Sequence, residues 1–307
     1  MQFVPAQAND QSTRKGAMQE EQANQLSNWG RWGADDERGM LNLLTPEMVK
    51  AAAGLVKTGK VYSLSMPLTA DGPQWPTRHK TWRVTTFRNQ PGERGGADDV
   101  LSMHSHSGTH MDALCHIWID DQLYNGYRAA EHVTSTGATR NAIDNVPVIT
   151  GRGVLLDIAG WKGVDHLQLG EAITADDLDA CAAAQGVTIQ PGDLLLLRTG
   201  WMRIFSTERA LFDSGEPGID ESTIPWLKQH DIVAIGADNQ AVEVLHEIPP
   251  AQLPVHVAAI RDLGIYLVEN LNLEALAADK VYTCLLVIAP LQLTGAIGSP
   301  VNPIALA

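Results

Sequence analysis

The sequence predicts a single mixed α/β domain, and three observations predict it. Short runs of branched, leucine-rich or aromatic residues, bounded by Gly, Pro or Asp, recur along the chain. Helix-capping signals are interspersed among them, and strand signals outnumber long helical ones. No internal repeat or low-complexity linker divides the 307 residues, a length that buries a large core without covalent staples. Hydrophobic residues at 44% and charged residues at 19% place the chain among compact globular enzymes rather than disordered or fibrous proteins. The domain is expected over residues 28–307, behind a polar N-terminal arm at 1–27 that is frayed or draped over a neighbouring subunit.

Taken in order, Thr45-Pro46-Glu47 offers an N-cap, a first-turn proline and an acid near the helix N-terminus, with Gly59 as the stop. Strands are expected at Val61–Met66, Trp82–Phe87 and Gly153–Ile158. Thr174-Ala-Asp-Asp177 resembles a capping box and opens an Ala-rich helix ending at Gly186. A strand follows at Asp193–Arg198, where four consecutive leucines read as buried on both faces. Asp220 is expected to cap a helix through Ile224 to His230, with Pro225 in its first turn. The remaining strands are Ile232–Gly236, Ile265–Val268 and Val281–Ile288.

Charge and composition exclude several partners. A formal net charge of −14 sets the surface against phosphate backbones and anionic membrane. No run approaches the roughly 18–20 apolar residues of a membrane span. The first twenty residues lack the apolar segment of a signal peptide. Three cysteines are few and odd in number, which argues against a disulfide framework and for a cytoplasmic protein. Cys115 lies inside the motif described next and is read as a small buried thiol.

Residues 104–118 read HSHSGTHMDALCHIW. Four groups able to bind metal or transfer a proton fall at His106, His110, Asp112 and His116; imidazole and carboxylate together suit Zn or Mn, and three protein ligands leave a position for water. Geometry restricts the backbone that can gather them. Fully extended, His106 and His110 would lie about 13 Å apart at ~3.3 Å per residue. In an unbroken helix, His110 and Asp112 would point to nearly opposite sides at ~100° per residue. A turn at Ser107-Gly108 resolves both problems, because glycine accepts the sharp backbone and His110 and Asp112 then share a face by two-residue alternation. His116, four beyond Asp112, returns to that side if a helical turn follows. His104 falls out of the alternation and is expected at the surface or in support.

His106-Ser-Gly-Thr-His110-Met-Asp112-Ala-Leu-Cys-His116 resembles the HxGTHxDxxxH signature of the cyclase-like metal-dependent hydrolases, a family that includes bacterial kynurenine formamidase and isatin hydrolase. The resemblance runs over roughly residues 28–300. His256 with Gly264-Ile-Tyr-Leu-Val-Glu269 is similar to the family's second metal segment, Gly236-Ala-Asp238-Asn239 to its Asp-bearing strand end, and Gly192–Gly200 to another of its strands. It implies a β-rich swivelling β/β/α fold, metal at His106, His110 and Asp112, and a second ion shared by Asp112 with His256 and Glu269. One or two divalent ions, Zn or Mn, are therefore expected. The stretch Trp29–Asn42 resembles a longer branch of the family, and Leu114 stands where a proline is frequent.

The expected reaction is hydrolysis of an amide, lactam or lactone of a small, cyclic or aromatic molecule, with His116 carrying the proton. Two other readings are open: a metal-dependent lyase, isomerase or cyclase working through an enolate, and a non-catalytic binding protein. Trp75 and Trp118 lie nearest the expected site loops, where a flat substrate stacks on them or they simply pack. Arg83 and Arg198 are weighed as carboxylate binders, with a solvated side chain as the default. His246-Glu247 lacks a second histidine four residues on and reads as an exposed loop. Surplus tryptophan and the polar arm point to a homo-oligomer.

Overall fold

A computed structural model describes residues 26–307. Fifteen strands occur among them: β1 Val61–Ser63, β2 Trp82–Arg88, β3 Gly96–Ser102, β4 His110–Asp112, β5 Val133–Thr134, β6 Gly137–Ala138, β7 Ile149–Asp157, β8 Ala172–Ile173, β9 Leu194–Arg198, β10 Gly218–Ile219, β11 Ala234–Ala237, β12 Tyr266–Glu269, β13 Thr283–Ile288, β14 Gly298–Pro300 and β15 Ile304–Leu306. Nine of these form one sheet in the order β1-β15-β13-β7-β9-β11-β12-β4-β14, so the fold is the mixed α/β, β-rich class expected.

The middle of the sheet, β7-β9-β11-β12, is parallel, and both flanks are antiparallel. The four leucines of β9 are buried on both faces, as are all residues of β11 and β12. That is the signature of strands covered on each side. At the flank, β13 alternates half-buried and buried residues. The sheet curls strongly. Only residues 301–303 separate β14 at one edge from β15 beside the other, and three residues span little more than ~10 Å. The Leu64 N–H donates to the Pro303 carbonyl and the Met66 N–H to Thr109 Oγ1, which carries the chain after β1 across to the β4 side.

Helices cover the curl. The helix Ala175–Gln185 starts with the expected capping box, Thr174 Oγ1 accepting from Asp177 N–H and the Asp177 side chain accepting from Thr174 N–H. Gln185 ties its end to β7 through Leu155 O at 2.6 Å and Asp157 N at 2.8 Å. The helix Pro46–Ala53 is capped by Thr45 as expected but stops at Gly54 rather than Gly59. Its expected tail is captured elsewhere, because the N–H groups of Thr58 and Gly59 both donate to the Ala307 carbonyl. The helix Thr223–Gln229 begins after Ser222; Asp220 instead accepts from Ser222 N and Oγ, shaping the turn before it.

The strand expected at Trp82–Phe87 has a partner that was not anticipated. β2 pairs with β3 in a seven-residue antiparallel hairpin whose residues are all exposed, Phe87 at 78%. Of the arm expected at 1–27, residues 1–25 lie outside the described residues. Among those described, no helix is long and apolar enough to cross a membrane.

Candidate metal centre

The cluster sits at the end of the sheet where the parallel strands finish, the usual location for sites in open parallel sheets. β12 ends at Glu269, and its antiparallel neighbour β4 places His110 directly opposite. β14 flanks β4 on its other side, with Gly298 opposite Asp112. The strand geometry at His110–Asp112 makes the two ligand candidates share a face, and the preceding turn has Gly108 at φ +65°. After Asp112 the chain makes one tight turn, His116 N–H donating to Ala113 O at 2.9 Å, and this brings His116 back onto His106. The two imidazoles stack with centroids 4.2 Å apart.

The structure brings together every residue of the expected ligand set. His106 Nε2 and His110 Nε2 lie 3.3 and 3.7 Å from Asp112 Oδ1. His110 Nε2 lies 3.0 Å from Glu269 Oε2, and His256 Nε2 lies 3.1 Å from Glu269 Oε1 and 4.0 Å from Asp112 Oδ2. Two triads have their ligand atoms within 4.8 Å of one another: His106, Asp112 and His116, and Asp112, His256 and Glu269. Asp112 belongs to both. His104 stands outside the cluster, its ring tilted against His79 with centroids 4.2 Å apart.

Each of the three deeply buried histidines is aimed by its other nitrogen. His110 Nδ1 faces the Gly108 carbonyl at 2.9 Å, which makes Nδ1 the protonated nitrogen and leaves a lone pair on Nε2. His106 Nδ1 meets Ser105 Oγ at 3.0 Å. His256 Nδ1 meets Glu243 Oε1 at 2.5 Å. Sequence reasoning missed Glu243, which also accepts from the N–H groups of Val255 and His256 in the short helix Pro254–His256. Its only sequence signal is a charge within the apolar run Ala241–Leu245.

A divalent ion fits this donor set. His106 Nε2, His110 Nε2 and both carboxylate oxygens of Asp112 are buried and make no hydrogen bond. Buried polar atoms are ordinarily paired, and four orphans converging on one space are those of a ligand shell. The electrostatics differ from one histidine to the next. Burial holds His106 well below its ordinary pKa, with His116 and His110 adding to the effect. Burial likewise lowers His116. At His110 burial opposes the charged form, but Glu269 and Asp112 outweigh it. At Glu269 the same opposition is overcome by His110 and His256, and its pKa is held down.

The substrate candidates separate. Trp75 lies beside the metal loop: the Arg78 guanidinium stands 5.3 Å over its ring and donates to the His106 carbonyl. Trp118 lines an open, mainly apolar cavity of about 740 Å³ with Ile117, Leu253, Pro254 and Val257, and none of the ligand candidates lines it. Arg198 is 5% exposed and committed to Asp157 and Glu274, while Arg83 pairs loosely with Asp99 on the exposed hairpin. Asp238 accepts from Thr199 N, Thr199 Oγ1 and Gly200 N, clamping the ends of β9 and β11. Cys115 is buried and its thiol is pushed up to about 12, so it is no thiolate nucleophile at neutral pH. His246 and Glu247 are exposed, as expected.

Histidines and carboxylates converging at the strand ends of a curled α/β sheet are the layout of a protein built around a divalent-metal centre. The chain belongs to the family described as putative cyclase, whose model matches residues 62–244. That match includes His106–His116 and ends before His256 and Glu269. The chain is 30% identical to isatin hydrolase of Roseibium aggregatum, over 67% of this chain and 73% of that one. It is 26% identical to kynurenine formamidase of Bacillus cereus, over 81% and 98% respectively. A crystal structure described as a novel cyclase superimposes with a TM-score of 0.85 at 37% identity, covering 92% of this chain and 99% of that one.

Proposed function

We propose that the protein is a metal-dependent hydrolase that opens an amide, lactam or lactone bond of a small, cyclic or aromatic substrate. The observation that carries this reading is the set of imidazoles with Nδ1 engaged outward and Nε2 directed at Asp112 and Glu269, with both Asp112 oxygens lacking a donor. The names of its relatives, isatin hydrolase and kynurenine formamidase, support the same class of reaction.

In this reading His106, His110 and Asp112 would hold a first divalent ion, Zn or Mn. His256 and Glu269, with Asp112 as a further donor, would hold a second. When bound, such an ion supplies an acidified water and polarises a carbonyl. The chain's own groups do the rest. His116, half-buried and stacked on His106, takes a proton from the attacking water and returns it to the leaving nitrogen or oxygen. Glu243 holds His256 in the tautomer that leaves Nε2 free to ligate. Trp75 offers a flat face at the metal loop, and Trp118 a second one at the neighbouring cavity.

Three free, buried cysteines fit a cytoplasmic setting, and apolar residues exposed on the β2–β3 hairpin fit a homo-oligomer. The test is product mass after incubation with N-formylkynurenine, isatin and simple lactones. Hydrolysis adds one water to the substrate. A product of unchanged mass would replace this reading with enolate chemistry, and no turnover of any of them would remove the substrate assignment.

A further inference from the structure

Arg78 is unlike the other covered arginines of this protein. Arg152, Arg198 and Arg261 each face a carboxylate, at 3.4, 2.7 and 2.6 Å. Arg78 is half-buried and has no carboxylate within ion-pair distance among the described residues, where the one hydrogen bond of its guanidinium goes from Nη1 to the His106 carbonyl. The rest of its donor fork is unused. A partly desolvated guanidinium without an anion is an unfavourable arrangement.

The loop around it is firmly built. Gln74 Nε2 donates to the carbonyls of Arg78 and His79, and Gly108 N–H donates to the Pro73 carbonyl, which locks residues 73–79 to the metal loop. Trp75 lies beneath the guanidinium, and its buried Nε1–H lacks an acceptor. A planar cation resting on an aromatic ring, one residue contact from a ligand histidine, presents a fork suited to a carboxylate.

We propose that Arg78 with Trp75 forms an anion subsite, which selects small planar molecules carrying a carboxylate beside the bond to be cleaved. This rests on the hydrolase reading. The carboxylate has two sources, the substrate's own or the acid that amide or lactam hydrolysis releases, and the same fork receives either.

The test compares benzoate with its neutral isostere benzamide, titrated by calorimetry into wild type, Arg78→Gln and Arg78→Lys. Metal content and thermal midpoint are recorded for every preparation. A charge-assisted fork gives wild type a preference for benzoate of roughly tenfold or more. In Arg78→Gln that preference collapses at unchanged metal content. Arg78→Lys keeps the charge without the fork and retains part of it. Equal binding of the two probes to wild type, or an undiminished preference in Arg78→Gln, overturns the proposal.

Should Arg78→Gln lose metal, the decision passes to Arg78→Lys. Weakened benzoate binding with benzamide unchanged supports the subsite, and unchanged benzoate binding overturns it. The source of the carboxylate is read from kinetics. A raised KM confined to aryl amides bearing a ring carboxylate assigns the substrate's own group, and relief of inhibition by benzoate alone assigns the product's. Benzoate preference without turnover of any amide, lactam or lactone would remove the hydrolase reading and leave the anion subsite standing.

Discussion

Glu243 Oε1 lies 2.5 Å from His256 Nδ1, and both residues are buried. The carboxylate therefore decides which nitrogen of His256 faces Glu269 and Asp112, and it raises the basicity of that nitrogen. Glu243→Gln keeps the shape but weakens the acceptor. We expect it to lower affinity for a second ion by roughly 10–100-fold, the usual cost of losing such a partner, with the first ion retained. Metal titration followed by calorimetry reads the two sites separately; unchanged binding at both would remove Glu243 from this role.

His116 stands in a triad with His106 and Asp112 yet is assigned to proton transfer rather than ligation. His116→Ala should keep its metal and lose turnover by about 10²–10⁴-fold, the range for a general acid–base group. A variant that loses metal in parallel with activity would reassign His116 as a ligand. Full activity would leave it without a role.

Gly298 is opposite Asp112, and its missing side chain is what lets His106 approach. A Cβ there would stand 2.7 Å from His106 Nε2 and 2.9 Å from Met111 O. Gly298→Ala should therefore displace the His106 ring and lower metal occupancy, with a stability cost of about 1–3 kcal/mol from overpacking. Elemental analysis beside a thermal melt checks both; wild-type metal content at a wild-type midpoint would contradict the geometry.

Away from the centre, burial pushes the Asp193 carboxyl up to about 6, against the bond from Gln190 N–H and the charge of Arg152. A folded-state pKa above the unfolded one means its contribution is intact below pH ~4 and is lost as pH rises through about 6. Asp193→Asn removes that loss. Relative to wild type, the variant should gain about 2–3 kcal/mol between pH 4 and pH 7. Denaturant melts at the two pH values measure the difference, and a pH-independent difference would show that Asp193 is not shifted.

Much of this architecture was legible because local chemistry and tertiary role coincide. Thr174 and Asp177 cap their helix whatever it packs against, and the leucines of β9 belong in a strand covered on both sides. His106, His110, Asp112 and His116 could be read as one site because their spacing allows few backbones. β3 escaped notice because Gly96, Asp98 and Asp99 are poor strand formers, held here only by pairing with β2. β14 and β15 are three residues each and carry or flank prolines, so their place depends on the curl of the sheet. Glu243 and Arg78 have no periodic signature at all. Each matters through a neighbour distant in sequence, His256 for one and the His106 loop for the other.

The central claim is that His106, His110 and Asp112 hold a divalent ion that the reaction requires. Elemental analysis of wild type beside His110→Ala, joined to hydrolysis assays on N-formylkynurenine, isatin and simple lactones, tests it most directly. The account predicts near-stoichiometric Zn or Mn in wild type, lost in the variant together with metal-dependent turnover. A wild-type protein that retains no metal after chelator-free purification and added Zn or Mn would contradict it, as would a His110→Ala variant with full metal and full activity.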